Sequence, residues 1–285
     1  MLQGALAGLA AGGVYAVVAV CLTMMAQLVR VINFSQAAIG MFGAFTSVLL
    51  IANKVPHIPA VFLGILVSAL LSGIIGWIIA TWLPDASISA RSAVTIAALL
   101  FIISLSFILF GTKPKAFKAI VSGPAFEVSG VVVSKVTIVM VLFAVVLAVV
   151  SKLVLGKTKI GVKLRAIADK PVAAELIGIP VKPLAIGVWV VTGLVVGLAV
   201  AIVAPTQNSD AVSLSMLVIY GSAASLLGAF KRLDLALVGG LLLGAVQGAA
   251  AQFQVLSLAR DWIPLLAIVV FLLWNQRKEV WDAAR

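Results

Sequence analysis

The chain is poor in nearly everything a soluble enzyme uses. It has one cysteine, Cys21, one histidine, His57, nine acidic residues, and only 10% charged residues over 285 positions. A single cysteine excludes an intramolecular disulfide framework, and its place inside an apolar run gives Cys21 a packing role. The lone histidine sits near Lys54 with no partner at metal-ligand spacing, so no metal site is expected. Most acidic residues fall in loops or at the ends of apolar runs, and no carboxylate pair and no set of nucleophile, base and orienting group emerges. No catalytic role is expected. Gly156-Lys157-Thr158 has the look of the end of a phosphate-binding loop, but position 151 is Ser where an earlier glycine is required, and an apolar run stands where a strand should precede it. The chain itself is therefore expected to hold no cofactor.

What is present is apolar surface. Hydrophobic residues make up 64% of the chain and the mean hydropathy is +1.27, which no water-soluble domain of this length tolerates. Crossing about 30 Å of hydrocarbon takes roughly 20 mostly apolar residues. Stretches of that kind run near 4–27, 34–52, 58–82, 93–111, 133–151, 184–204, 212–229, 235–256 and 262–274. The expectation is an all-α polytopic transmembrane bundle of about 8–9 spans, forming one helical membrane domain over 1–285. The first run begins almost at Met1 without a small-residue cleavage site, so it reads as a retained helix.

The formal charge of +11 would suggest a nucleic-acid partner in a soluble chain, but here the basic residues lie between and beyond the apolar runs. They report orientation in lipid, and no nucleic acid is expected. The connection 152–182 carries Lys152, Lys157, Lys159, Lys163, Arg165, Lys170 and Lys182 against Asp169 and Glu175, and the tail adds Arg277, Lys278 and Arg285. Placing both clusters in the cytoplasm puts Lys231-Arg232 inside, and leaves the 112–132 connection, the Pro205–Asp210 turn and the N-terminus outside. The central turns of the runs carry no ionisable side chain, which argues against coupling to an ion gradient.

Glycines recur at a spacing of four: Gly4, Gly8 and Gly12; Gly193 and Gly197; Gly240, Gly244 and Gly248. That spacing stacks them on one helix face and lets backbones approach closely, either within the chain or in a dimer.

Two segments interrupt the apolar pattern. Arg30-Val31-Ile32-Asn33-Phe34-Ser35-Gln36 divides a run from 4 to 52 that is too long for one crossing, so the chain turns there. If the turn is re-entrant, its backbone must be buried in protein or line a cavity, and Asn33, Phe34, Ser35 and Gln36 become translocation-pathway candidates. The alternative is an ordinary interfacial turn with Arg30 among headgroups.

The second segment, 161–179, reads as a soluble helical island. Asp169 and Pro171 mark a fresh helix start, and Gly178 with Pro180 marks its end. Val172, Leu176 and Ile179 recur at helical spacing, which gives one apolar stripe on a charged segment. Such a stripe suits either docking to a partner or lying on the membrane surface.

At these residues the chain resembles a family. Arg30-Val31-Ile32-Asn33-Phe34-Ser35-Gln36 is similar to the Asn-Phe-small-His/Gln signature of branched-chain amino acid (Liv-type) ABC-importer permeases. Gly161, Arg165, Ala166, Ala173, Ala174, Gly178 and Ile179 resemble that family's cytoplasmic coupling segment, and Gly239-Gly240-Leu241-Leu242-Leu243-Gly244 resembles its glycine-rich late helix. Ala37 departs from a usual Gly, and Lys231-Arg232 stands where a Gly-Ser turn is common. In length the chain looks like the shorter of the two permease types.

The resemblance implies a membrane permease subunit, not an enzyme, in the cytoplasmic membrane of a prokaryote with its C-terminus cytoplasmic. Its implied cargo is Leu, Ile, Val or a related amino acid. Its implied partners are a second permease, two cytoplasmic ATPases that bind the ATP, and an extracytoplasmic solute-binding protein. The ATPases would engage the 152–182 segment through Gly161, Arg165, Ala166, Asp169, Val172, Glu175, Leu176, Gly178 and Ile179. Alternatives are a simple-sugar-type permease and an intramembrane enzyme or scaffold subunit.

Overall fold

A computed structural model describes residues 2–128, 131–207, 210–253 and 262–283. Twelve helices are described: α1 Leu2–Leu28, α2 Gln36–Ala52, α3 His57–Trp82, α4 Ile88–Phe110, α5 Lys135–Lys157, α6 Lys159–Asp169, α7 Pro171–Leu176, α8 Val181–Val203, α9 Ala211–Ser215, α10 Leu217–Leu227, α11 Leu233–Ala250 and α12 Ile263–Ala283. Between α4 and α5 lies an antiparallel hairpin of β1 Pro124–Val128 and β2 Val131–Ser134. The expected run 235–256 ends partly at 254–256, which lie outside the described residues, as does Arg285.

The expectation of about 8–9 spans is corrected. Among the described residues, six helices are long and apolar enough to cross a membrane: those at the positions of α1, α3, α4, α5, α8 and α11. The three other expected spans correspond to shorter apolar helices. Helix α2 has 17 residues, and at 1.5 Å per residue it covers about 25 Å, short of the hydrocarbon thickness. The 211–227 stretch is divided at Met216 into α9 and α10. The last apolar helix runs only over Ile263–Leu273 before Asn275, Gln276 and Arg277 end its apolar character. Apolar composition revealed where helices form; unbroken length decides which of them can cross.

Helix α1 is the axis of the bundle. Val14, Ala16, Val17, Val18, Ala19, Val20 and Leu22 are all fully buried, and the helix packs against α5, α8, α10 and α11. Its pairing with α11 is antiparallel and rests on the glycines. A Cβ on Gly244 would lie 2.2 Å from the Gly12 Cα, and one on Gly4 would lie 2.3 Å from the Gly248 carbonyl oxygen. Gly8 meets Gly244 and Gly248, and Gly240 meets Ala16, so the backbones touch where any side chain would separate them. Gly193 and Gly197 of α8 face Ser68 and Ser72 of α3 in the same way. All three glycine sets thus make contacts inside the chain.

Buried hydroxyls fasten neighbouring helices through backbone carbonyls. Ser225 Oγ donates to Ala19 at 2.9 Å, Ser72 Oγ to Trp189 at 2.7 Å and Ser68 Oγ to Ile39 at 3.1 Å. Away from these contacts the outer helices stay apolar on their exposed faces, as at Leu70, Phe101, Ile108 and Leu142. That surface suits lipid, where exposed apolar side chains carry no hydration penalty.

Candidate functional site

Within the 30–36 turn Arg30 is exposed, but Asn33, Ser35 and Gln36 are buried and bind one another. Asn33 and Ser35 are fully buried and Gln36 is 1% exposed. Asn33 Oδ1 accepts from the Ser35 N–H at 3.1 Å and from Ser35 Oγ at 2.6 Å, while Asn33 Nδ2 donates to Gln36 Oε1 at 3.2 Å. The Gln36 N–H closes the turn on the Asn33 carbonyl at 3.2 Å. Phe34 is half-buried beside them. These residues do not line any of the described cavities. Their hydrogen bonds are spent on holding the backbone of a turn that a buried environment would otherwise leave unsatisfied.

Two residues that sequence reasoning missed secure the turn from α4. Ser92 Oγ accepts from the Ile32 N–H at 3.1 Å, and Thr95 Oγ1 accepts from the Phe34 N–H at 3.0 Å. Thr95 Oγ1 also lies 3.1 Å from the Ile32 carbonyl as a donor. Both side chains are buried on a mostly apolar helix. A Ser and a Thr three apart on one helix face were the available signal.

The polar island forms two short helices. Thr158 opens α6: its Oγ1 accepts from the Gly161 N–H at 3.0 Å, in the manner of an N-cap. Gly161 is buried because α6 folds back on the end of α5; a Cβ there would lie 2.3 Å from the Val154 carbonyl oxygen. Arg165 is exposed and Ala166 half-buried.

The expected cap at Asp169 is corrected. Asp169 is the last residue of α6, and the N-cap of α7 is Lys170, which makes no side-chain capping bond. Pro171 does open α7, where its missing N–H costs nothing.

The end of α7 is fixed by Gly178. With φ at +83°, Gly178 donates its N–H to Glu175, and Ile179 donates to Ala174 at 3.0 Å. This pair of bonds satisfies the last carbonyls of the helix. The apolar stripe is arranged differently from the expected one. Val172 and Leu176 are 68% and 83% exposed, but Ile179 lies beyond the helix and is half-buried. Ile177, 75% exposed, joins the outward patch instead. Glu175 is exposed beside it.

The two segments meet. Arg30, held in the left-handed region with φ at 52°, donates from Nη2 to the Asp169 carbonyl at 2.8 Å. Between them is a cavity of about 170 Å³ with Arg30, Asp85, Arg91, Glu175, Lys182 and Trp189 in its lining. Arg91 in turn donates to the Leu83 carbonyl at 3.1 Å and to that of Pro84. Among the described residues there is no cluster suited to a metal ion. An exposed apolar patch on a short, well-terminated helix is thus tied through Arg30 to the turn between α1 and α2.

The model of the family described as branched-chain amino acid transport system / permease component matches residues 4–274. The chain is 31% identical over 103 residues to a probable branched-chain amino acid transport permease protein LivH of Methanocaldococcus jannaschii. That match takes in 36% of this chain and 33% of the relative, so the chain aligns with about a third of that protein's length. Among solved structures, PsaBC from Streptococcus pneumoniae in complex with Fab overlaps at 18% identity and a TM-score of 0.47, over 95% of this chain and 89% of that one. The chain belongs to the branched-chain amino acid permease family. It is a multi-pass membrane protein of that permease family, related to the Liv-type component.

Proposed function

We propose, from this family membership, that the chain is a translocation subunit of an ATP-driven importer for branched-chain or related amino acids. It works with a second permease, two cytoplasmic ATPases that bind ATP, and an extracytoplasmic solute-binding protein. The whole of 1–285 serves as one permease domain, and 152–182 is its cytoplasmic coupling segment. The C-terminus shares that side, and the 112–132 connection faces outward.

The observation that carries this reading is the pairing of an outward apolar patch with an inward mechanical link. Val172 and Leu176 of the short helix α7, with Ile177 just beyond it, form an exposed apolar patch in the most basic connection of the chain. A helix of 6 residues is too short to hold itself in water, so it is preformed here by Pro171, Gly178 and its packing through Ala174. Seated in a groove of an ATPase, α7 receives the displacement that follows ATP binding. Asp169 passes it to Arg30, and the turn braced by Asn33, Ser92 and Thr95 passes it to α1, α2 and α4. Gly161, Arg165 and Ala166 set the angle at which α6 leaves α5.

The test is reconstitution of the chain with its partner permease, ATPases and binding protein in lipid vesicles. ATP should drive accumulation of leucine, and vesicles without ATP or without this chain should accumulate none. Equal uptake without ATP contradicts the reading.

A further inference from the structure

At the end of the bundle opposite α6 and α7 lies a cavity of about 610 Å³ walled by α1, α9, α10, α11 and the 204–207 turn. Its deepest residues along α1 and α10 are Tyr15 and Tyr220. Their rings stack with centroids 4.6 Å apart and planes 14° from parallel. From Gly8 to Tyr15 the wall descends about 10 Å, taking 1.5 Å per residue. Beneath the tyrosines α1 continues into the fully buried run Ala16–Val20, which is solid core. The tyrosine pair is therefore the closed end of a pit that opens at one end of the bundle.

Among the described residues, the lining of the pit is polar and uncharged. Thr206, Ser213 and Gln247 line it together with the backbone of Gly248, and no Asp, Glu, Lys, Arg or His is among its described lining residues. Hydroxyl, amide and backbone groups can pair with both ends of a zwitterion or with an amide, and the aromatic faces accept an apolar side chain. The Asp210 carboxylate beside Ser213 is engaged by the N–H groups that open α9; a solute of net charge would meet no other charge among the described lining residues, and moving it toward the apolar core is costly without one. The volume admits a single amino-acid-sized molecule with accompanying water.

We infer that this pit is a binding site for a small solute of zero net charge, a neutral amino acid or amide, held above the Tyr15–Tyr220 pair before it passes into the membrane. The inference rests on the importer reading and adds to it a place in this chain where cargo stops. It locates discrimination against charged solutes in the permease as well as in the delivering protein.

The test uses the complete transporter in intact cells, with Ser213→Cys, and separately Val212→Cys, in a Cys21→Ser background. A membrane-impermeant maleimide should modify both. Leucine at saturating concentration should slow modification at least threefold, while lysine and glutamate leave it unchanged. Asn53→Cys, which is exposed and away from the pit, should react at one rate in every condition. Failure of leucine to protect either cysteine, or equal protection by lysine and glutamate, overturns the inference. ATP-driven leucine uptake by the Cys21→Ser parent separates the two proposals. Uptake without protection removes the site and leaves the importer; protection without uptake leaves the site and removes the importer.

Discussion

Arg30 and Asp169 stand 139 residues apart in the chain and are joined by a hydrogen bond from Nη2 to a backbone carbonyl at 2.8 Å. The acceptor is main chain, so the contact depends on where α6 ends and not on the identity of the Asp169 side chain. The bond is exposed, and its net worth to folding is about 1 kcal/mol or less. Arg30→Met should accordingly reach the membrane at normal abundance while ATP hydrolysis by the assembled complex no longer responds to cargo. Asp169→Asn should retain that response. Loss of response in Asp169→Asn but not in Arg30→Met would show that the side chain, not the link, matters.

The buried turn makes a different forecast. Asn33→Leu removes the acceptor of both the Ser35 N–H and the Ser35 hydroxyl, and each buried group left unpaired costs about 1 to 3 kcal/mol. Thr95→Val strands the Phe34 N–H in the same way. Both variants should lower the thermal stability of the detergent-solubilised protein together with its abundance. Normal stability with lost transport would return these side chains to the pathway.

Helix contact through glycine can be tested by contrast. A Cβ on Gly244 meets Gly12 backbone at 2.2 Å and 2.4 Å, whereas one on Gly187 meets nothing within 4 Å. Gly244→Val should force α1 and α11 apart and cost at least the roughly 1 to 3 kcal/mol of an overpacked core. Gly187→Ala should be neutral or slightly stabilising, since it removes backbone freedom from a helix. Melting temperatures of the two purified variants against the parent measure the difference.

Asp210 caps α9 beside the pit-lining Ser213, accepting from the Ser213 N–H at 2.9 Å. Partial burial pushes its carboxyl upward, but the hydrogen bonds from Ser213 and neighbouring N–H groups outweigh it and hold the group below its ordinary value. A depressed carboxyl contributes stability above its unfolded pKa and loses it as the pH falls through the folded one. The parent should therefore be more stable than Asp210→Ala at neutral pH, by about 1 kcal/mol for a lost cap. The gap should narrow as the pH drops below the carboxylate range. A gap that is constant down to strongly acidic pH would assign it to something other than the carboxylate.

The parts legible in sequence were those with local causes. Apolar runs located the long helices, Pro171 and Gly178 bounded α7, and the odd polar string 30–36 marked a turn. Three features were not legible because their causes are distant in the chain. Ser92 and Thr95 look like chance polar residues in an apolar helix until the fold sets them against a turn 60 residues away. Ile177 replaces Ile179 in the exposed patch because Gly178 reverses the chain between them. The pit opposite α7 is assembled from several separate segments, none of which is unusual alone. The span count went astray for a related reason: hydropathy does not register the break at Met216, nor that α2 starts at a buried turn within the bundle.

The central claim is that force from partner ATPases enters this chain at α7, and Leu176 is the residue that tests it most directly. At 83% exposure it contributes almost nothing to the chain's own packing, so its replacement isolates docking from folding. Truncating a Leu buried in a well-packed site costs about 2 to 5 kcal/mol, and the lower figure alone weakens a docking constant roughly thirtyfold. An unpaired carboxylate at the same place costs more. The measurement is the amount of ATPase recovered with affinity-tagged permease, together with cargo-stimulated ATP hydrolysis, for the parent, Leu176→Ala and Leu176→Asp. The account predicts normal membrane abundance in all three, with recovery and stimulation falling in Leu176→Ala and further in Leu176→Asp. Unchanged recovery and stimulation in both variants would contradict it.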